Sequence, residues 1–402
     1  MAKKNDGFFE SLANEGKKRA RRAAKKKLKK MHPVAALLLV LLVIALIVGA
    51  YFVYVNYLEP MLNGDGGKGD GDGDGDGSSP LGNVTDGALS IHFLELGNVY
   101  TGDCTYIKGC ENDILIDAGS RTTSVATIKS YIDQYVTDGK LEYVIVTHAH
   151  QDHYAGFTLK NGSIFDLYEV DVIIDFARTN QDATGTNMYS KYLAERDDEI
   201  AAGATHYTAA DCITYSNNVF DLGEGITMTI LDSYYYFNEA KDENDYSVCT
   251  LFSYGENHYL FTGDLEGPGE EKLVERNDLP EVVLYKAGHH GSVSSSTEAL
   301  LEVISPEIVC VCCCAGSSEY TKNNATQFPT QAMIDRVAPY TDRVYVTTLC
   351  ISYDDRTYQS MNGNIVVTAN ATTVSVKCSN DDRVLKEWDW FKQNRTCPAA
   401  WK

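Results

Sequence analysis

The chain has 402 residues, room for two or three domains, with 44% hydrophobic and 23% charged side chains and a formal net charge of −21. Residues 1–32 hold 12 Lys and Arg against three acids, so the rest of the chain carries −30. A field of that sign aids solubility and excludes holding a long polyanion by overall charge alone; a local basic patch or a bound metal would have to offset it.

The first element is the +9 arm of residues 1–32. Residues 33–57 follow as an expected transmembrane helix, because Val34–Val55 is 22 residues without a charge. At about 1.5 Å rise per residue such a helix spans about 33 Å, the thickness of a hydrocarbon core. The basic arm then stays cytoplasmic and the remainder lies outside the cell, on a single-pass anchor whose outer end carries Tyr51, Tyr54 and Tyr57. A cleaved signal peptide is the alternative, with Val48-Gly49-Ala50 as the small-residue site, but the apolar run exceeds the usual length of about 7–15 residues. Residues 58–87, rich in repeated Gly-Asp, cannot bury a core and read as a flexible linker. Their alternation lacks the apolar position of a calcium-binding β-roll repeat.

From residue 88 the pattern turns globular. Strands are predicted at Leu89–Leu96, Thr105–Lys108, Asp113–Asp117 and Tyr143–Val146, with an amphipathic helix over Thr123–Val136. Further strands fit Val170–Phe176, Ile226–Leu231, Tyr246–Tyr254, Tyr259–Thr262, Val282–Tyr285, Ile308–Cys314, Arg343–Thr348, Gly363–Ala369 and Thr373–Lys377. Helices fit Asn187–Ala202, Gly269–Arg276, Thr297–Ile304 and Pro329–Val337. Strands in runs at both ends, with helices between, predict an α/β domain over 88–378 with two sheets covered by helices. The tail, 379–402, carries Trp388, Trp390 and Phe391 and reads as a short helix, docked on the domain or offered to a partner. All 11 cysteines follow the apolar segment, where an oxidising compartment permits disulfides and the odd count leaves one unpaired. The run Cys310-Val311-Cys312-Cys313-Cys314 is a thiolate metal site or, as its place between Pro306 and Gly316 favours, a buried strand.

Chemistry concentrates in Thr147-His148-Ala149-His150-Gln151-Asp152-His153, which follows an apolar strand and holds three of the nine histidines. Extended backbone repeats every two residues, so His148 and His150 point one way while Asp152 and His153 reach a neighbouring position. Two adjacent metals are thereby served, and imidazole plus carboxylate without thiolate suits Zn, Mn or Fe. Two later segments repeat the scheme of a strand followed by ligand-type residues. One is Thr262-Gly263-Asp264, where glycine permits a tight turn; the other is Lys286-Ala287-Gly288-His289-His290-Gly291-Ser292.

Together these segments resemble the metallo-β-lactamase superfamily, and within it the hydrolase domain of ComEC-type competence proteins and their free-standing relatives. The matching elements also include Gly97 to Asp103, Asp117-Ala118-Gly119, Gly156 and Asn244 to Ser247. The resemblance implies an αββα sandwich with two divalent transition metals, Zn or Mn, at the sheet edges. It places His148 and His150 on one metal, Asp152 and His153 on the other, Asp264 between them, and one of His289 and His290 on the second. Asp103 and Asp117 are expected to orient ligands, Asp152 to serve also as general base, and Lys286 and Ser292 to meet an anionic substrate group. Many relatives have one more histidine ligand before the bridging aspartate. Only His206 and His258 stand there, in an expected loop and turn, and both read as structural. The relatives' Tyr-Gly-His-Pro segment appears as Thr326-Gln327-Phe328-Pro329. The implied activity is extracellular, membrane-anchored, metal-dependent hydrolysis of phosphodiesters, with DNA as the expected substrate. A small ester, a lactone or an envelope phosphodiester is the alternative substrate, and a non-catalytic surface-anchored binding domain the alternative class.

Overall fold

The computed structural model describes residues 88–402; the basic arm, the expected membrane helix and the Gly-Asp stretch lie outside the described residues. Among the described residues no helix is long and apolar enough to cross a membrane.

Two eight-stranded sheets organise the domain. The first is built from β1 (Leu89–Phe93), β2 (Thr105–Gly109), β3 (Asn112–Ile116), β4 (Lys140–Val146), β5 (Glu169–Asp175), β6 (Thr205–Thr208), β15 (Ile365–Ala369) and β16 (Val374–Cys378). Its order is β16-β15-β1-β2-β3-β4-β5-β6. The second contains β7 (Val219–Gly223), β8 (Ile226–Ile230), β9 (Thr250–Tyr254), β10 (Asn257–Phe261), β11 (Leu284–Lys286), β12 (Ile308–Ala315), β13 (Val344–Ser352) and β14 (Thr357–Ser360), in the order β14-β13-β12-β11-β10-β9-β8-β7.

Each sheet joins an antiparallel part to a parallel part, β3 to β6 in one and β10 to β13 in the other. Parallel strands need crossovers, and helices supply them. α1 (Ser124–Ile132) links β3 to β4, and α3 (Met188–Ala202), capped by the Asn187 side chain on Ser190 N, leads into β6. α4 (Gly267–Arg276), α5 (Glu298–Ile304) and α6 (Gln331–Val337) cover the second sheet. α2 (Gln151–Tyr154) is a single turn inside the His148–His153 loop.

The core has two layers of apolar contact. Phe93 of β1 stacks on Phe261 of β10 with ring centroids 6.0 Å apart, and these residues share one cluster with Ile91, Ile107, Ile145, Cys310 and Cys312. The second cluster joins Leu260, Val309, Val311 and Cys313 to Leu273, Leu301, Ile304 and Ile334 from the helices. Each such side chain removed from water contributes about 1.5–3 kcal/mol. The cysteine run is the buried strand: Cys310 and Cys312 face the other sheet, Cys313 faces the helices, and all 11 cysteines are free thiols. Alternation along a strand sends consecutive thiols to opposite faces, so the run cannot converge on one ion.

The tail helix α7 (Asp389–Asn394) docks on the second sheet's helical side, where Leu385, Trp388, Phe391 and Trp401 join the same cluster. Trp401 Nε1 donates to Thr341 O at 2.8 Å, and the Arg395 guanidinium donates to the carbonyls of Pro329 and Gln327 at 2.9 and 2.7 Å.

Candidate metal centre

The parallel strands β4, β10 and β11 end at one edge of the sandwich, and the loops leaving them bring the ligand-type residues together. The first loop is held tightly. Asp103 N donates to Asp152 O at 3.0 Å, Ala118 N to His153 O at 2.7 Å, and Gly156 N to Ala118 O at 3.1 Å. A Cβ on Gly156 would stand 2.4 Å from Ala118 O, so this return of the chain requires glycine. In the third loop His289 and His290 take left-handed backbone angles, φ 46° and 56°, between Gly288 and Gly291. Non-glycine residues pay for that conformation in strain, which is common where a side chain must be aimed.

Donor atoms of Asp103, His153, Asp264 and His290, all buried, lie within 4.8 Å of one another. His153 Nδ1 faces Asp117 Oδ2 at 2.7 Å and its Nε2 faces Asp264 Oδ2 at 3.0 Å, so both ring nitrogens meet carboxylate oxygens. Asp117 is itself held by Thr147 N and Oγ1, both at 2.8 Å. His290 Nδ1 faces Cys312 O at 2.9 Å, and its Nε2 lies 3.1 Å from Asp264 Oδ2 and 3.4 Å from Asp152 Oδ2. That Nε2 is aligned for a hydrogen bond with neither carboxylate. An imidazole nitrogen aimed between two carboxylate oxygens, with its other nitrogen fixed by a carbonyl, is the arrangement of a metal ligand. Beside this group His148 Nε2 stands 3.0 Å from His150 Nδ1 and 4.0 Å from Asp264 Oδ2. The donor set fits a divalent transition metal bound by nitrogen and oxygen.

The electrostatics agree with that fit. Burial lowers the pKa of His153 and His290, but the Asp264 carboxylate, with Asp117 or Asp103, outweighs it and raises both well above the usual imidazole value. Burial raises the pKa of Asp152, and the His290 and His153 rings outweigh it in the other direction. Burial, then the charge of His153, holds His148 well below the usual value and so neutral. The field that retains protons on two buried imidazoles is the field that favours a cation in their place.

Among the expected site residues, Asp103, Asp152, His148, His150, His153, Asp264 and His290 are gathered here. The open choice between the paired histidines has a geometric answer: His290 faces the carboxylates, whereas His289 turns to Glu266 Oε1 at 3.1 Å and Ser294 Oγ at 3.0 Å. Lys286 corrects the expectation of an anion contact. It is 3% exposed, in ion-pair contact with Asp103, donates to Gly263 O at 3.0 Å and lies 3.7 Å from Asp264 Oδ1. Its place at the C-terminal end of β11, at the sheet edge where the loops converge, points the ammonium into the carboxylates rather than out to solvent. Ser292 is likewise buried and spends its hydroxyl on Ser294. His206 lies on β6 rather than in a loop and pairs with Asp175 at 2.8 Å, and His258 lies within β10 against Ser253 Oγ at 2.8 Å, so neither joins the centre.

Sequence reasoning missed Tyr320, whose hydroxyl donates to Asp152 Oδ2 at 2.6 Å, in the long connection from β12 to α6 where no periodicity or ligand-type motif marks it. In the same connection Phe328, noted in the sequence as standing where relatives carry histidine, has its ring centroid 5.9 Å from that of His290.

The metallo-beta-lactamase superfamily model matches residues 97–159 and 240–315, the two stretches that carry these loops. Over these two stretches the chain is similar to the metallo-beta-lactamase superfamily, which supports a metallohydrolase. Its curated relatives include a recombination protein, a competence protein and a ComE operon protein. Recombination protein 2 of Haemophilus influenzae is 27% identical over 249 residues, 61% of this chain and 26% of that protein. Competence protein ComA of Neisseria gonorrhoeae is 39% identical over 98 residues, 24% of this chain and 13% of that protein. ComE operon protein 3 of Bacillus subtilis is 23% identical over 215 residues, 52% and 24%. The chain thus spans about a quarter or less of the length of these relatives. Among solved structures it is similar to the metallo-beta-lactamase fold protein YhfI from Bacillus subtilis, with 11% identity, 64% of this chain and 95% of that chain covered, and a TM-score of 0.36.

Proposed function

We propose that this protein is a membrane-anchored, extracellular hydrolase of phosphodiesters that uses two divalent ions, with nucleic acid as the substrate class. The observation that carries the reading is the convergence of His153, His290 and Asp264, with Asp152 3.4 Å from His290 Nε2, beside the His148–His150 pair. His153, His290, Asp152 and Asp264 would hold one ion; His148 and His150, with Asp264 shared, would hold the other and leave it open for water or substrate. Bound there, divalent ions lower the pKa of water and neutralise charge building on an attacked phosphoryl oxygen.

The remaining steps belong to the chain. Asp117 and the Cys312 carbonyl fix the tautomers of His153 and His290. Lys286 balances Asp103 and Asp264, so that the cluster of carboxylates stays folded. Asp152 is positioned to take a proton, and the Tyr320 hydroxyl donates to its Oδ2, the oxygen that faces His290 Nε2. Competence proteins among the relatives support a nucleic-acid substrate, and the +9 arm before 22 uncharged residues supports external placement of the domain.

The test is metal content and turnover of the purified chain with Mn or Zn against single-stranded DNA, bis(p-nitrophenyl) phosphate and a lactone panel. Wild type should retain metal and cleave the phosphodiesters. Asp264→Asn should lose metal and turnover by about 10²-fold or more while keeping its circular dichroism, because an amide cannot balance two cations. Full turnover in that variant, or lactone cleavage without phosphodiester cleavage, would defeat the reading.

A further inference from the structure

Outward from the metal centre runs a strip of aromatic and guanidinium groups on a chain that is otherwise strongly acidic. Tyr320, 57% exposed, joins Asp152 to the ring of Phe328, 5.8 Å away. The residue before it, Glu319, accepts from Arg121 Nη2 at 2.9 Å and from Thr101 N at 2.8 Å, which ties the connection from β12 to the next part of the strip. Arg121 lies over the Tyr100 ring, 3.8 Å from its centroid. Arg356 follows, 5.1 Å from the Tyr100 centroid and 4.3 Å from that of Tyr353, and the two tyrosines meet edge to face at 6.0 Å.

Arg356 is the informative member. It is exposed and forms no ion pair among the described residues, while its neighbour Asp355 is turned onto Ser352 Oγ at 2.8 Å. It also sits at φ 57° in the turn between β13 and β14, where hairpins ordinarily take glycine or asparagine. Strained backbone is thus retained at a position that presents a free guanidinium beside two tyrosine rings.

We propose that this strip binds single-stranded nucleic acid, with unpaired bases stacking on Tyr320, Tyr353 and the Arg356 plane and the strand leading its phosphates to the metal centre. The inference rests on the hydrolase reading and deepens it by naming the strand type. Alternating aromatic rings and guanidinium groups recognise base faces, which are accessible only when the strand is unpaired. A duplex hides those faces and brings twice the charge density to an acidic surface. The strip therefore answers the charge objection raised by composition: a small local patch guides a flexible strand, and no large basic face is needed.

The test uses the metal-loaded full chain in detergent and a short phosphorothioate-linked oligothymidylate, which resists hydrolysis, read by fluorescence anisotropy beside a duplex of equal length. Wild type should bind the single strand at least about tenfold more tightly than the duplex, and Arg356→Gln with Tyr353→Ser should weaken single-strand binding by about tenfold or more. Arg356→Lys, which keeps the charge and loses the plane, should fall between them. Equal single-strand binding by wild type and the double variant, or equal affinity for duplex, would overturn the proposal. Strip-dependent binding without turnover of any phosphodiester would overturn the hydrolase reading alone. Turnover of bis(p-nitrophenyl) phosphate with strip-independent oligonucleotide binding would overturn the strip alone.

Discussion

His92 shows how much one buried side chain ties stability to pH. On β1 it is enclosed by Tyr106, Tyr131 and Tyr135, with Nδ1 on Tyr131 Oη at 2.8 Å and Nε2 on Ser90 Oγ at 2.9 Å. Burial pushes its pKa from 6.5 down to about 3. Above 6.5 both folded and unfolded His92 are neutral, and its full contribution is present. As pH falls below 6.5 the unfolded chain takes up a proton that the folded chain refuses until about 3, so stability is lost across that window. From 6.5 to pH 5 the loss is about 2 kcal/mol, at about 1.4 kcal/mol per unit. His92→Gln, which keeps a donor and an acceptor, should shrink the stability difference between pH 7 and pH 5 by roughly that amount in urea melts. An identical pH dependence in both proteins would show that His92 is not the titrating group.

At the scale of elements, the segment from β4 through α2 to Gly156 acts as a clamp. Its return at Gly156 packs on Ala118, which directly follows Asp117, the carboxylate that orients His153. Gly156→Ala should therefore displace Asp117 more than it destabilises the fold. The expected result is metal affinity reduced by about 10–100-fold, as when a residue supporting a metal ligand is lost, with a stability cost of about 1–3 kcal/mol. Competition with a chromophoric chelator measures the first and thermal melting the second; unchanged affinity would remove the clamp from the site. The central strands were legible because the buried ends of strands such as β4 and all of β12 are continuous apolar runs. The strands that sequence reading missed, β6, β7 and β14, are edge strands of the two sheets. Half-exposed edges lack the apolar alternation that marks a strand. Tyr246–Ser247, expected to be strand, instead belongs to a turn that sets Ser247 Oγ 3.4 Å from His148 Nδ1. The ligand-type residues were legible at the metal centre because their chemistry is written in residue type. The Cys312 carbonyl, the burial of Lys286 and the reach of Tyr320 depend on tertiary placement, which residue type does not encode.

For the whole molecule, residues 385–401 belong to the folded unit. Trp401 is buried in the same cluster as Phe391 and Trp388, and Arg395 ties the tail to the connection that carries Tyr320 and Phe328. The tail therefore shares the fate of the domain, and removing a buried aromatic anchor such as Phe391 would cost about 3–5 kcal/mol. Combined with the proposed external placement, this yields a prediction for limited proteolysis of intact cells. The stretch 58–87 offers five aspartates in its Gly-Asp repeats, whereas beyond residue 88 most of the backbone is engaged in sheets and helices, with Asp182 and the Asp354–Asp355 turn among the exposed competing sites. A protease specific for aspartate, added outside, should release a fragment that begins within or just after that stretch and still contains Trp401, as read by mass spectrometry. A domain cut only after lysis would contradict the outward orientation given by the +9 arm. A released fragment that loses residues 385–402 before any internal cleavage would instead show that the tail is not part of the folded unit.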